Sequence, residues 1–311
     1  MKKVLDKIEP RLLENVSILE DNNEIECLIK VCNEKDLAFI SNCKYFKDVI
    51  KLPFINTVAV KINKNNIYNL ASQSFVKYIS SNTRVFTQIN IAKNVVGVGN
   101  YMPKNLTDFS CAVIDTGIYP HIDFIFNSDR ILVFKDFISN NEQLYDDNGH
   151  GTVVAGVLAG SGMISGKKYA GLDCGLKLVV IKALDNLGET GAITILKAMQ
   201  WILDNKEKYN IKIVCMSFGS NVLEKNDPLI MGAEILWNNG IIVVTACGNS
   251  GPDSQSIKSP SASSKVISVG ALDDGRNKFN QFDISRFSVA EFSSRGPVFN
   301  IYKPTRRSSD L

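Results

Sequence analysis

Histidine is nearly missing from this sequence: its 311 residues include two, His121 and His150. Acid–base chemistry near neutral pH that relies on an imidazole therefore has a narrow choice of residue. Charge of one sign is also lacking. The 35 basic and 32 acidic side chains leave a net +3, which provides no basic footprint for nucleic acid. Long apolar runs are absent; the longest, such as Ile241-Ile242-Val243-Val244, have strand length and fall far short of the roughly 18 residues of a membrane span. No Cys-x-x-Cys pair occurs among the cysteines at 27, 32, 43, 111, 174, 215 and 247. Their odd number and their place in apolar runs predict small buried hydrophobes in a reducing compartment rather than a disulfide framework. The start of the chain lacks the apolar segment of a secretory signal, because Asp6, Lys7 and Glu9 interrupt it. The expectation is a cytoplasmic protein without membrane or nucleic-acid partners.

What is present is ordinary globular composition, 45% hydrophobic and 22% charged, in a length that allows about two domains. The pattern changes near residue 85. Before it, strands are expected at Ile25 to Val31, Pro53 to Ile62 and Phe75 to Ile79, with helices at Glu34 to Ile40 and Asn65 to Ser72. That alternation predicts a small α+β module of ferredoxin type over residues 1–86. Ser80 to Lys104 reads as a polar, exposed connector, with the linker proper at 87–107. From 108 to 311, continuous apolar strands (Cys111 to Ile114, Leu178 to Lys182, Ile211 to Met216, Ile241 to Ala246, Val266 to Val269) alternate with helices (Thr152 to Ala159, Ala192 to Asp204, Pro228 to Asn238). This is the signature of an α/β fold with a doubly wound parallel sheet covered on both faces. Ligands of such sheets bind at the carboxyl ends of the strands.

Three clusters stand at those ends. Asp115 follows the buried strand Ala112-Val113-Ile114, His150 lies between two glycines at a helix start, and Asn249 follows Gly248 in a glycine-rich loop. Singly, each suits a turn or cap. Together they can carry a mechanism: a carboxylate that fixes an imidazole tautomer, and an amide that donates to a developing oxyanion. His121, in Tyr119-Pro120-His121-Ile122, reads as a local loop residue with a polar partner.

The chain resembles the subtilases, the subtilisin-like serine protease family, and in particular their bacterial intracellular members. The resemblance spans Asp108 to Pro304. It rests on Val113-Ile114-Asp115-Thr116-Gly117-Ile118, Asn148-Gly149-His150-Gly151-Thr152, Met216-Ser217-Phe218-Gly219, Gly248-Asn249-Ser250-Gly251-Pro252 and Phe292-Ser293-Ser294-Arg295-Gly296-Pro297. The order, Asp before His, is the family's. The resemblance implies that Asp115 orients His150, that His150 is the general base and that Asn249 supplies half of an oxyanion hole. It also implies a polypeptide substrate lying along Ser217, Phe218 and Gly219, with Ala246, Cys247 and Gly248 as the wall of a specificity pocket and Gly188 to Gly191 as the opposite rim. The N-terminal module matches the family's prodomain, whose C-terminal strand (here Lys77 to Thr87) blocks the groove until a cut between Thr87 and Asn94. Calcium occurs in the family, but Asp146, Asp147 and Asn148 beside His150 read as structural, and no metal or other cofactor is assigned.

One element of the pattern is missing. The family's nucleophile lies in Gly-Thr-Ser-Met-Ala, and no such string occurs in the sequence, which runs Thr305-Arg306-Arg307-Ser308-Ser309-Asp310-Leu311 after Pro304. Ser308 and Ser309 lack the glycine turn and are not candidate nucleophiles. The expectation is a chain whose C-terminal part has been lost by truncation or frameshift, inactive alone, with apolar surface left on neighbouring strands. A non-catalytic peptide- or protein-binding protein is the alternative. An aspartic protease is excluded, since that mechanism needs two such carboxylates and no second Asp-Thr-Gly or Asp-Ser-Gly occurs.

Overall fold

The computed structural model describes residues 2–9, 12–13, 16, 24–43, 46–63, 65–82, 84–87, 108–126, 130–167, 169–221, 226–273 and 287–298. After the single turn α1 (Lys2–Leu5), the N-terminal module runs β1 (Glu24–Val31), α2 (Glu34–Ser41), β2 (Lys47–Leu52), β3 (Thr57–Asn63), α3 (Asn65–Ala71) and β4 (Val76–Ser81). Its sheet has the order β2-β3-β1-β4, with β1 antiparallel to both β3 and β4. That is the split βαβ arrangement expected. Alternation along β1 and β3 gives the sheet two apolar faces. Cys27, Ile29, Val58 and Val60 pack with Leu37 and Ile40 of α2 and Ile67 of α3. Leu28 and Ala59 face the other way and join the core of the larger domain.

Two expectations need correction here. Pro53 to Ile62 is not one strand: Pro53–Ile55 forms a 3-10 turn, Asn56 takes a left-handed φ of 49°, and β3 starts only at Thr57. Proline has no N–H to give a ladder and presets the turn. The preceding strand β2 was not expected. Nor is Ser80 to Lys104 a connector throughout, because β5 (Arg84–Thr87) pairs within a second sheet. Of the expected linker at 87–107 and the cut between Thr87 and Asn94, all but Thr87 lies outside the described residues, as does the tail 299–311.

The larger domain contains β6 (Ser110–Asp115), α4 (Ile122–Ile125), β7 (Ile131–Asp136), α5 (His150–Ala159), β8 (Lys177–Lys182), β9 (Glu189–Gly191), α6 (Ala192–Asn205), β10 (Ile211–Met216), β11 (Phe218–Ser220), α7 (Pro228–Asn238), β12 (Ile242–Ala246) and β13 (Ile267–Val269), followed by a small β14–β15 pair (Leu272–Asp273, Ser288–Val289). Six strands form one parallel sheet in the order β13-β12-β10-β6-β8-β7. On one face Ala112, Ile114, Val179, Ile181, Val214, Met216 and Val243 pack with α6 and α7. On the other, Cys111, Val113, Leu178 and Val180 are covered by Ala155 and Ala159 of α5. That second face is open at its far end among the described residues. Ile242, Ile267 and Val269 on β12 and β13 are 43%, 47% and 48% exposed, as are Val153 (58%) and Val157 (40%) on α5.

Candidate active site

Strand β6 is buried along its whole length and carries Asp115 at its carboxyl end, fully enclosed. Helix α5 begins at His150, whose Nδ1 lies 2.6 Å from Asp115 Oδ1. A carboxylate offers only acceptors, so this nitrogen holds the proton and the ring's tautomer is set. Asp115 Oδ1 also accepts from Thr116 N–H at 2.8 Å. Close approach depends on Gly151: a Cβ there would stand 2.3 Å from the carbonyl oxygen of Gly117. The structure brings Asp115 and His150 together and seats the pair between a strand end and a helix start.

Two residues outside the predicted set hold this pair in place. Asp146 accepts from Thr116 Oγ1 (2.8 Å), Gly149 N–H (2.8 Å), Thr152 N–H (2.9 Å) and Thr152 Oγ1 (2.5 Å), tying the end of β6 to the first turn of α5. Burial works against its charge, but the bonds from Thr152, Gly149 and Thr116 outweigh it and hold the carboxyl below the usual range. Lys182 is fully buried at the end of β8. Its three protons go to Thr116 O (2.6 Å), Asp147 Oδ1 (2.6 Å) and Leu184 O (3.0 Å), and its ammonium lies 4.9 Å from the Tyr145 ring centroid. Asp146 and Asp147 therefore serve the loop that carries His150 and do not form a cation cage. The one signal in the sequence was a lysine ending an otherwise apolar strand. His121 caps α4, its Nδ1 accepting from Asp123 N–H, away from this pair in role.

The remaining predicted residues lie along the same edge of the sheet. Ser217 joins β10 to β11 and is half-buried; Gly219 is buried in β11. The Phe218 side chain is enclosed in the core with α6 and α7, so this position can offer a ligand its backbone only. Ala246, Cys247 and Gly248 follow β12, and Asn249 is exposed beyond them. Cys247 likewise turns its thiol inward, 3.5 Å from Ser293 Oγ. Asp115 ends β6 and Asn249 lies in the loop beyond β12, with β10 between the two strands. The Cys215 thiol, at the base of this edge, is pushed up to about 11 by burial and is no nucleophile at neutral pH. All seven cysteines are free.

The groove itself is filled. β5 lies between β11 and β9 and is antiparallel to both, with Val85 opposite Ser220 and Thr190, and Phe86 opposite Gly219 and Glu189. An extended polypeptide thus bridges the two edges by backbone pairing, as in strand addition to a sheet.

The subtilase family model matches residues 107–307. The chain belongs to the subtilase family. It is 38% identical to serine protease AprX of Bacillus subtilis over 267 residues, covering 80% of this chain and 58% of AprX. A thermostable alkaline protease of Halalkalibacterium halodurans is 28% identical over 284 residues, covering 90% of this chain and 72% of that protein. Among solved structures, the S41 Psychrophilic Protease superposes with a TM-score of 0.51 at 29% identity, covering 60% of this chain and 59% of the other. The chain therefore spans little more than half of AprX and of that solved protease.

Proposed function

We propose that this subtilase chain carries the acid–base pair and the peptide groove of a serine endopeptidase. The observations that carry the reading are β5, an extended segment paired on both sides, and the Asp115–His150 contact in the same domain as its partner strands. In this reading His150 takes the proton from an attacking serine hydroxyl and returns it to the leaving amine. Asp115 keeps the ring oriented and stabilises the imidazolium. Asn249 donates to the oxyanion, and Ala246 to Gly248 wall the specificity pocket. Residues 1–86 act as a prodomain, with β5 as the built-in occupant of the groove, in a cytoplasmic protein.

The serine is the missing member. No Gly-Thr-Ser-Met-Ala string exists in the 311 residues, so these residues alone are expected to hold peptides and not to cleave them. The test measures peptide binding and casein turnover separately, on this chain and on one extended by a family C-terminal part bearing the serine, each carrying Val85→Pro so that β5 no longer fills the groove. The expected result is binding without turnover for the first and turnover for the second. In the extended chain Asn249→Ala should lower kcat about 10²–10³-fold, the loss known for subtilisin's own side-chain donor, and His150→Ala should abolish measurable turnover. A folded extended chain that binds peptide but never cleaves it would make this a peptide-binding protein instead.

A further inference from the structure

The slot beside the groove has a floor, and the floor carries a cation. Its two walls are the β11 edge and the segment 246–248. Residues 258 and 259 join them: Lys258 N–H donates to Cys247 O at 2.9 Å, while Ser259 and Ser220 exchange both backbone bonds, at 2.9 and 3.2 Å. Gly248 adopts a φ of +117°, and a Cβ on it would stand 2.6 Å from Lys258 Cγ. The side chain missing at Gly248 is thus the space the lysine stem occupies. From there the ammonium reaches across to Asn221 Oδ1 at 2.5 Å, one residue past β11.

Asn221 is a neutral acceptor, and among the described residues no carboxylate lies within ion-pair distance of Lys258. Partial burial depresses the ammonium's basicity. A partly buried ammonium with no carboxylate partner among the described residues is an arrangement that an incoming anion would complete. We infer that Lys258 selects the substrate side chain that enters this slot, favouring glutamate or aspartate there. The inference rests on the groove reading above. The entering residue is set by register: Thr87 of β5 stands opposite Phe218, so the next residue of an extended ligand falls opposite Ser217, level with the 246–248 wall.

The experiment uses peptides copied from β5 and lengthened by one residue, acetyl-Arg-Val-Phe-Thr-Xaa-amide with Xaa as Glu, Gln or Lys. Blocked ends leave the last side chain as the sole difference. Binding is measured by competition against a fluorescent Gln peptide, on the full chain and on its Val85→Pro variant, in which a lost ladder N–H frees the groove. The Glu peptide should bind roughly fivefold to tenfold tighter than the Gln peptide, and the Lys peptide weakest. The preference should shrink at 0.5 M salt, persist in Lys258→Arg, vanish in Lys258→Gln and reverse in Lys258→Glu. Equal binding of Glu and Gln peptides would overturn the role of Lys258 while leaving the groove reading intact. If no peptide binds the Val85→Pro chain, the groove reading falls and the inference with it.

Discussion

Replacing Gly151 by alanine should drive the start of α5 off the end of β6. The added Cβ would sit 2.3 Å from Gly117 O and 3.0 Å from Gly117 N, so the helix must retreat by about 1 Å to reach ordinary contact. That retreat stretches the 2.6 Å Asp115–His150 contact and the 2.9 Å bond from Gly151 N–H to Thr116 Oγ1 toward or past the hydrogen-bond limit. Overpacking costs about 1–3 kcal/mol and two weakened bonds about 1 kcal/mol each. Alanine in a helix returns about 1 kcal/mol. The net loss is therefore about 2–4 kcal/mol, or roughly 4–16 °C in Tm for a domain of this size. The same helix supplies its own control: nothing lies within 4 Å of a Cβ at Gly156, so Gly156→Ala should gain about 0.5–1 kcal/mol. Urea and thermal melts give the two stabilities. Histidine-selective 15N labelling gives the geometry, because the sequence holds two imidazoles and the Nδ1 proton of His150 should lose its protection in Gly151→Ala. Equal stability of the two alanine variants would refute the claim that this contact sets the Asp–His distance.

Two further outcomes follow from burial and charge. Asp227 caps α7 through Leu229 and Ile230 N–H, and its enclosure, reinforced by the charge of Glu9, pushes its carboxyl up to about 7. A carboxyl raised on folding costs stability as pH rises from its unfolded value through the folded one. Asp227→Asn, which keeps the capping oxygen, should flatten the loss of stability between about pH 4 and 7 and gain about 1–2 kcal/mol at pH 8; an unchanged slope in urea melts would count against it. On the open end of the sheet, Ile267→Lys with Val269→Lys should suppress self-association in light scattering while shifting Tm by no more than about 2 °C. Unaltered scattering would mean that this face does not drive association.

Strands β6 and β8 were legible because burial on both faces makes them continuous apolar runs, and β10 and β12 because their runs are apolar even where one face is partly exposed. The contact between Asp115 and His150 was legible because glycine-flanked polar residues at a strand end and a helix start point to a close approach. Strand β7 was missed although Ile131-Leu132-Val133-Phe134 is apolar; it is an edge strand, half-exposed throughout. Strands β5, β9 and β11 owe their existence to backbone pairing between distant segments, which leaves no side-chain pattern to read. Lys258 looks like an ordinary surface lysine in the sequence, and Lys182 is marked only by ending an apolar run. Their surroundings are assembled from residues as far apart as Thr116, Asp147, Asn221 and Gly248.

The seam between the two domains is oily rather than wet. Leu28, Leu52, Ile55 and Ala59 share one core with Leu196, Met199, Leu229 and Ala233, and Gln200 Oε1 accepts Phe54 N–H at 3.0 Å across the junction. Severing the chain between residues 88 and 107 would consequently leave the two pieces glued together. Parting them would demand a force that peels apart a hydrophobic joint, such as partial melting of the smaller piece.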